Sequence, residues 1–201
     1  MVPKLDARKR RLVLACAGSA VLIALSGAVL TSAQTSDPRL AAIRALSADI
    51  EARIATANKE AEGMSPGGFY CTETWINSRN GSWRAVGNYY QKIQFWHTDE
   101  PGFAAAEGLP EKAVLVKAEV HEAAAIRTYY RDFLFDDGRL VFVYIKERSG
   151  DGPFEERRYY FDKGKLFRFQ LGTEVKAEVP DAAAILREAE SLQARFLALF
   201  R

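Results

Sequence analysis

The side chains able to act as nucleophiles, bases or metal ligands are few: beyond residue 33 they are Cys71, His97 and His121, with Cys16 inside an apolar run. A Cys–His pair would suit acyl transfer, the thiolate attacking while the imidazole takes its proton. Nothing in the spacing brings Cys71 to either histidine, and there is no G-x-S-x-G elbow for a serine alternative. Metal binding lacks its spacings too, with no H-E-x-x-H, C-x-x-C or acidic calcium loop. Cys71 has no second cysteine to pair with beyond residue 33, so it reads as a buried thiol, with a bridge between two chains as the alternative.

Paired carboxylates could work as acid and base on a glycan, and the visible pairs are Glu155-Glu156, Asp136-Asp137 and Glu119 with Glu122. Adjacent residues of a strand point to opposite faces, so Glu155 and Glu156 cannot flank one bond. Asp136-Asp137 falls in a turn. Gly150-Asp151-Gly152 precedes Pro153 and a strand rather than a helix N-terminus, so it is a turn and not a phosphate loop. Asn80-Gly81-Ser82 fits the glycosylation pattern but is accounted for by a hairpin. No cofactor motif is present.

What remains is a set of arginines and tyrosines. Arg127, Tyr129 and Arg131 alternate along one strand, and Arg158 and Tyr160 along a later one, a composition typical of binding surfaces. The competing reading pairs these arginines with Glu147, Glu155 and Glu156 across a sheet while the tyrosines cover core.

The elements that position these groups follow from periodicity. Asp37-Pro38 caps a helix carrying Leu40, Ile43, Leu46, Ile50 and Ile54 on one stripe, which the pattern ends near Glu62-Gly63 before a Ser65-Pro66-Gly67-Gly68 hinge. From Phe69 the pattern becomes that of strands. Asn80-Gly81, Asp137-Gly138 and Lys163-Gly164 each predict a type I′ turn, giving hairpins of Phe69 to Asn77 with Trp83 to His97, Ile126 to Phe135 with Arg139 to Arg148, and Phe154 to Phe161 with Lys165 to Leu171. Another strand is expected over Ala113 to His121. Pro180-Asp181 opens a last helix with Ile185, Ala189, Leu192, Phe196 and Leu199 in register, widened by Leu186, Leu197 and Phe200.

All 23 aromatic residues follow residue 68, and 21 lie between Phe69 and Phe169, so the sheet carries the bulky material that the helices must cover. The expected fold is a single α+β domain over residues 34–201: one twisted antiparallel meander of six or seven strands, with both helices on one face. Leu140, Phe142 and Tyr144 alternate with Val141, Val143 and Ile145, which makes that strand central. Truncating a buried Phe142 to alanine would then cost ~3–5 kcal/mol.

Phe135-Asp136-Asp137-Gly138-Arg139-Leu140-Val141 recurs as Phe161-Asp162-Lys163-Gly164-Lys165-Leu166-Phe167, 26 residues later. Two units fall short of a solenoid, so they are successive hairpins. With the flanking Tyr129-Tyr130 and Tyr159-Tyr160, the stretch resembles a family of uncharacterised bacterial exported proteins with Y-Y-F-D-x-G-K-L hairpins. The resemblance covers about 45 residues and implies a location in the cell envelope, with no catalytic residue to carry over.

The N-terminus agrees with export. Lys4 to Arg11 is basic, residues 12–30 carry no charge, and Thr31-Ser32-Ala33 supplies small residues before Gln34. Nineteen apolar residues also nearly match a ~30 Å hydrocarbon core, so an uncleaved anchor is the alternative to a cleaved signal over residues 1–33. Either outcome places residues 34–201 outside the cytoplasm, with membrane contact only through residues 12–30 when the segment is retained. A lipid-bearing Cys16 is a poor match, since only four apolar residues precede it.

The first 33 residues hold five of the 28 Lys+Arg and one of the 26 Asp+Glu, leaving 23 against 25 and a domain near -2. A nucleic-acid partner is therefore not expected. The functional expectation is a non-catalytic envelope binding module for another envelope protein or a small ligand, with the candidate patch Arg127, Tyr129, Arg131, Arg158 and Tyr160. The alternatives are a carrier holding an apolar ligand between sheet and helices, and a small hydrolase using Cys71 or a carboxylate pair.

Overall fold

A computed structural model of the chain describes residues 37–59, 69–84, 87–98 and 113–199. The signal or anchor segment, the Ser65–Gly68 hinge and Phe200 lie outside the described residues. Helix α1 spans Pro38–Lys59. Its start follows the cap expected from sequence: Asp37 Oδ1 accepts the Arg39 backbone N–H at 3.0 Å, and Pro38 occupies a position where no N–H is needed. Leu40, Ile43, Ile50 and Ile54 are buried, and Leu46 is half-buried.

Among the described residues the chain then forms nine strands: β1 Tyr70–Ile76, β2 Ser82–Trp83, β3 Gly87–His97, β4 Leu115–Ala124, β5 Arg127–Asp136, β6 Arg139–Ser149, β7 Glu155–Asp162, β8 Lys165–Leu171 and β9 Glu174–Val175. Helix α2, Ala182–Ala198, closes the described chain. One antiparallel sheet runs β1-β3-β4-β5-β6-β7-β8-β9, with β2 paired to the end of β3. Seven strands are long, and the two further ones, β2 and β9, have two residues each.

Two of the three expected turns form as expected. Asp137 and Gly138 have φ of 46° and 73°, and Lys163 and Gly164 have 50° and 76°, the positive pairs of a type I′ hairpin. The Asn80-Gly81 turn is corrected. β1 pairs with β3 from Tyr70 opposite His97 to Ile76 opposite Gln91, so β1 ends before Asn77 and the start of β3, residues 87–90, pairs with β2 and β4 instead. The Asn77 side chain holds the chain beyond β1: its amide donates to the carbonyls of Gly81 and Tyr89, and its Oδ1 accepts the Gly81 N–H. The β4–β5 hairpin turns at Ala125-Ile126, which lacks the glycine that would have marked it; Ala125 itself takes the positive φ, 51°.

The two helices do not share a face, contrary to expectation. α2 lays Ile185, Ala189, Leu192 and Phe196 on Phe95, Val120, Phe133, Val143, Tyr159 and Phe169. α1 covers the other side, packing on Trp96, Leu134, Phe142 and Tyr160. The cause is in adjacent residues: Phe95-Trp96, Phe133-Leu134 and Tyr159-Tyr160 are all buried, yet neighbours on a strand point oppositely. Two apolar faces need two covers. At α2 the stripe stops one turn early, since Leu197 and Leu199 are exposed, and Asp181 precedes the helix in a left-handed conformation without a side-chain cap.

Three register shifts explain the sequence repeat. They fall at Trp96/His97, Leu134/Phe135 and Tyr160/Phe161, and each leaves one extra residue on the partner strand: Val116, Val141 and Phe167. All three pack beneath α1. The F-D-x-G-basic-Leu-apolar repeat is thus a hairpin plus bulge whose final apolar residue supports α1. The bulge also overturns the simple alternation expected for β6. Leu140 joins Val143 and Ile145 on the α2 side, and Phe142 is only half-buried on the α1 side.

Candidate functional site

The residues singled out by sequence are not brought together. His97 is buried on the α2 face, with a ring nitrogen 3.1 Å from Thr72 Oγ1 and its ring 5.3 Å from Phe196. Cys71 lies on the opposite face of β1, paired with Trp96. Its side chain is exposed, which overturns the expected buried thiol, because β1 is the edge of the sheet. Packing around the sulfur, and then the Glu73 carboxylate, push that thiol up to about 11, far from a ready thiolate. His121 shares the Cys71 face but sits on β4, with β3 between them and four residues further along the ladder.

The carboxylate pairs divide similarly. Glu155 pairs with Arg157 and Glu156 with Arg158 on opposite faces. Glu119 turns to Lys117, while Glu122 meets Arg131 on the other side. Among the described residues no three His, Cys, Asp or Glu gather as metal ligands.

The arginine and tyrosine set is also split by the sheet. Arg127, Tyr129 and Arg131 lie on the α2 face, where Arg131 ties β4 and β5 to α2 through Glu122 at 2.8 Å and Glu188 at 2.7 Å. Arg127 donates to the Tyr129 hydroxyl at 3.3 Å. Arg158 and Tyr160 are on the α1 face: Arg158 bonds Glu156 at 2.6 Å and the Gly172 carbonyl at 2.8 Å, and Tyr160 is buried with its hydroxyl on Gln170. Glu147 and Glu155 are taken by Arg157, a residue outside the expected set.

A different surface is assembled instead. α1 covers only the bulge end of its face; beyond it, no described helix lies over the ladder rows Gln94–Glu119–Asp132–Tyr144–Arg158–Gln170 and Trp75–Lys92–His121–Tyr130–Lys146–Glu156. The second row is aromatic and cationic. His121 stacks on Tyr130, centroids 4.3 Å apart at 18°, and meets Tyr90 edge-on at 5.1 Å. The Tyr90 hydroxyl is 2.8 Å from His121 Nε2, and burial followed by the nearby Lys92 charge lowers the imidazole's proton affinity. Phe154 lies 6.2 Å from Tyr130, with Lys146 Nζ 4.5 Å and the Arg148 guanidinium 4.7 Å from its ring centroid. Tyr130 is 37% exposed and Trp75 48%, so the rings face outward.

The boundary between covered and open halves is a charged cluster. Lys117, only 5% exposed, donates to Glu51 of α1 and to Glu119, each at 2.5 Å, and lies 3.9 Å from Asp132. Burial opposes its charge, but Asp132, Glu119 and Glu51 raise its proton affinity above the ordinary lysine value. Asp132 is pushed up to about 6, chiefly by burial, with Lys117 opposing and Glu119 and Glu51 adding to the rise.

That shift has a measurable sign. The native state holds the Asp132 proton more tightly than the unfolded chain, so stability falls as pH rises from about 4 to about 6. The side chain is 37% exposed, and water screening reduces the effect to on the order of 1 kcal/mol. Asp132→Asn is expected to match the parent in urea melts near pH 4 and to exceed it by that amount above pH 7. A constant difference across this range would count against the assignment.

Strand alternation alone selects Tyr129 and passes over Tyr130, its neighbour on the open face. The signal in the sequence is the aromatic match of Tyr130 with His121 at facing strand positions, which requires the β4–β5 register. Comparison of the chain with family models, with curated proteins and with solved structures gives no match.

Proposed function

We propose that this protein is a non-catalytic binding module of the cell envelope, exported by residues 1–33 and kept there either free or tethered through residues 12–30. The open half of the α1 face is its binding surface. The observation that carries the reading is the contiguous row of exposed Tyr130 with half-buried His121 and Phe154, flanked by Lys146 and Arg148. Aromatic rings held in place by a sheet supply contact area at low entropic cost. The resemblance of the F-D-x-G hairpins to exported proteins and the basic-then-apolar N-terminus support the location.

The test compares the two faces. With the protein purified from its own cells, Tyr130→Ala combined with Phe154→Ala is expected to weaken retention on immobilised envelope material at least tenfold, with the melting temperature little changed. Arg127→Glu on the α2 face should leave retention intact. Loss with Arg127→Glu and none with the double variant would move the site to the other face.

A further inference from the structure

We infer that two copies of this chain pair antiparallel through the outer edge of β1, about a two-fold axis at Thr74; the inference does not depend on the ligand-binding surface. β1 is the first strand in the order of the sheet, and among the described residues only β3 pairs with it. The strand Tyr70–Ile76 therefore presents a row of backbone N–H and C=O groups outward. Proteins ordinarily blunt such an edge with proline, lysine, a bulge or a short strand. The opposite edge of this sheet is treated in that way: β9 has two residues, and the stretch of β8 that it leaves unpaired carries Lys165 and Arg168. β1 has none of these devices. It meets β3 in unbroken register, and its one charge, Glu73, is 2.7 Å from Lys92.

Self-complementarity selects the second copy and its register. In a two-fold antiparallel pair, residues equally spaced about the axis face each other. Centred on Thr74, that residue meets its own copy, Glu73 meets the partner's Trp75, and Thr72 meets the partner's Ile76. Facing threonines are a favourable cross-strand pair, and no like charges are opposed. Centred one residue earlier, Glu73 would oppose its own copy. Trp75 is 48% exposed and Ile76 39%, and they project to opposite faces of β1, so backbone pairing at this end covers both at once. The Trp75 indole N–H, 3.3 Å from Glu73 on its own strand, gains the partner's Glu73 as a charged acceptor. A contact confined to Thr72–Ile76 is smaller than a standard interface, so the dimer is weaker than about 1 µM. Its axis stands perpendicular to the sheet, which sets both α1 faces side by side on one surface.

The test joins sedimentation equilibrium of the purified protein, in reducing buffer and up to millimolar concentration, with single-cysteine cross-linking. The inference expects a monomer–dimer equilibrium that Cys71→Ser leaves unchanged. Ile76→Lys, which puts a charge on the exposed edge, should weaken the dimer at least tenfold with the melting temperature unmoved. Thr74→Cys in the Cys71→Ser background should cross-link on oxidation, because facing Cα atoms lie ~4.5–5.5 Å apart, within disulfide reach. Thr72→Cys in the same background should not, since its two copies stand about 14 Å apart along the strands. A monomer at every concentration overturns the inference, as does a dimer that Ile76→Lys leaves intact. Cross-linking through Thr72→Cys and not through Thr74→Cys overturns the two-fold at Thr74.

Discussion

Replacing Lys117 with methionine is expected to lower stability by about 3 kcal/mol in urea unfolding at pH 7. Among the described residues the ammonium is the one cation within 4.0 Å of Glu51, Glu119 and Asp132, and its removal leaves these carboxylates without it at the edge of the α1 cover. Losing one partner of a buried ion pair costs ~3–5 kcal/mol, and the lower end applies because Glu51 and Asp132 keep contact with water. Acid should partly rescue the variant, since protonated carboxyls no longer repel. A loss below about 1 kcal/mol, or no rescue at pH 4.5, would show that the cluster is solvated and contributes as a surface pair does.

Phe133→Ala is expected to cost ~3–5 kcal/mol, the range for deleting a fully enclosed ring. Phe133 is 0% exposed in the middle of β5, between Ala118 on β4 and Val143 on β6, all within the cluster under α2. Phe142→Ala is the informative control. It lies on the other face, half-buried against α1, and should cost roughly half as much because less apolar area returns to water. Equal losses would show that α1 seals its face as tightly as α2 does.

Phe142 also marks where sequence reading stops. Amphipathic stripes and X-Gly turns are local, so both helices and two hairpins are legible in the order of residues alone. A bulge is not local. Val141 and Phe167 are leftover residues only when β6 and β8 are set against their partners, and their effect is to move Leu140 and Leu166 to the face opposite the one simple alternation gives. The same limit hides the candidate surface. Arg127, Tyr129 and Arg131 can be placed on one face of β5, and Arg158 and Tyr160 on one face of β7. Whether those two faces coincide depends on the β5–β6–β7 register, and they do not. His121 and Tyr130 become neighbours only through the Ala125-Ile126 turn, which carries no glycine to announce it.

The division of the covers between two faces also sets an order of opening. Among the described residues seventeen buried ones belong to the cluster under α2, against eight in the two smaller groups under α1. Apolar contact holds α1 down more weakly, so a sub-global fluctuation can lift it while the sheet and α2 stay folded, and its amides exchange with solvent at lower free energy than those of β5 and β6. α1 is also the first element of the described chain, so tension applied at Asp37 reaches the more weakly held of the two helices first. The domain can then yield by one helix, uncovering Trp96, Leu134 and Tyr160, before its main core is disturbed.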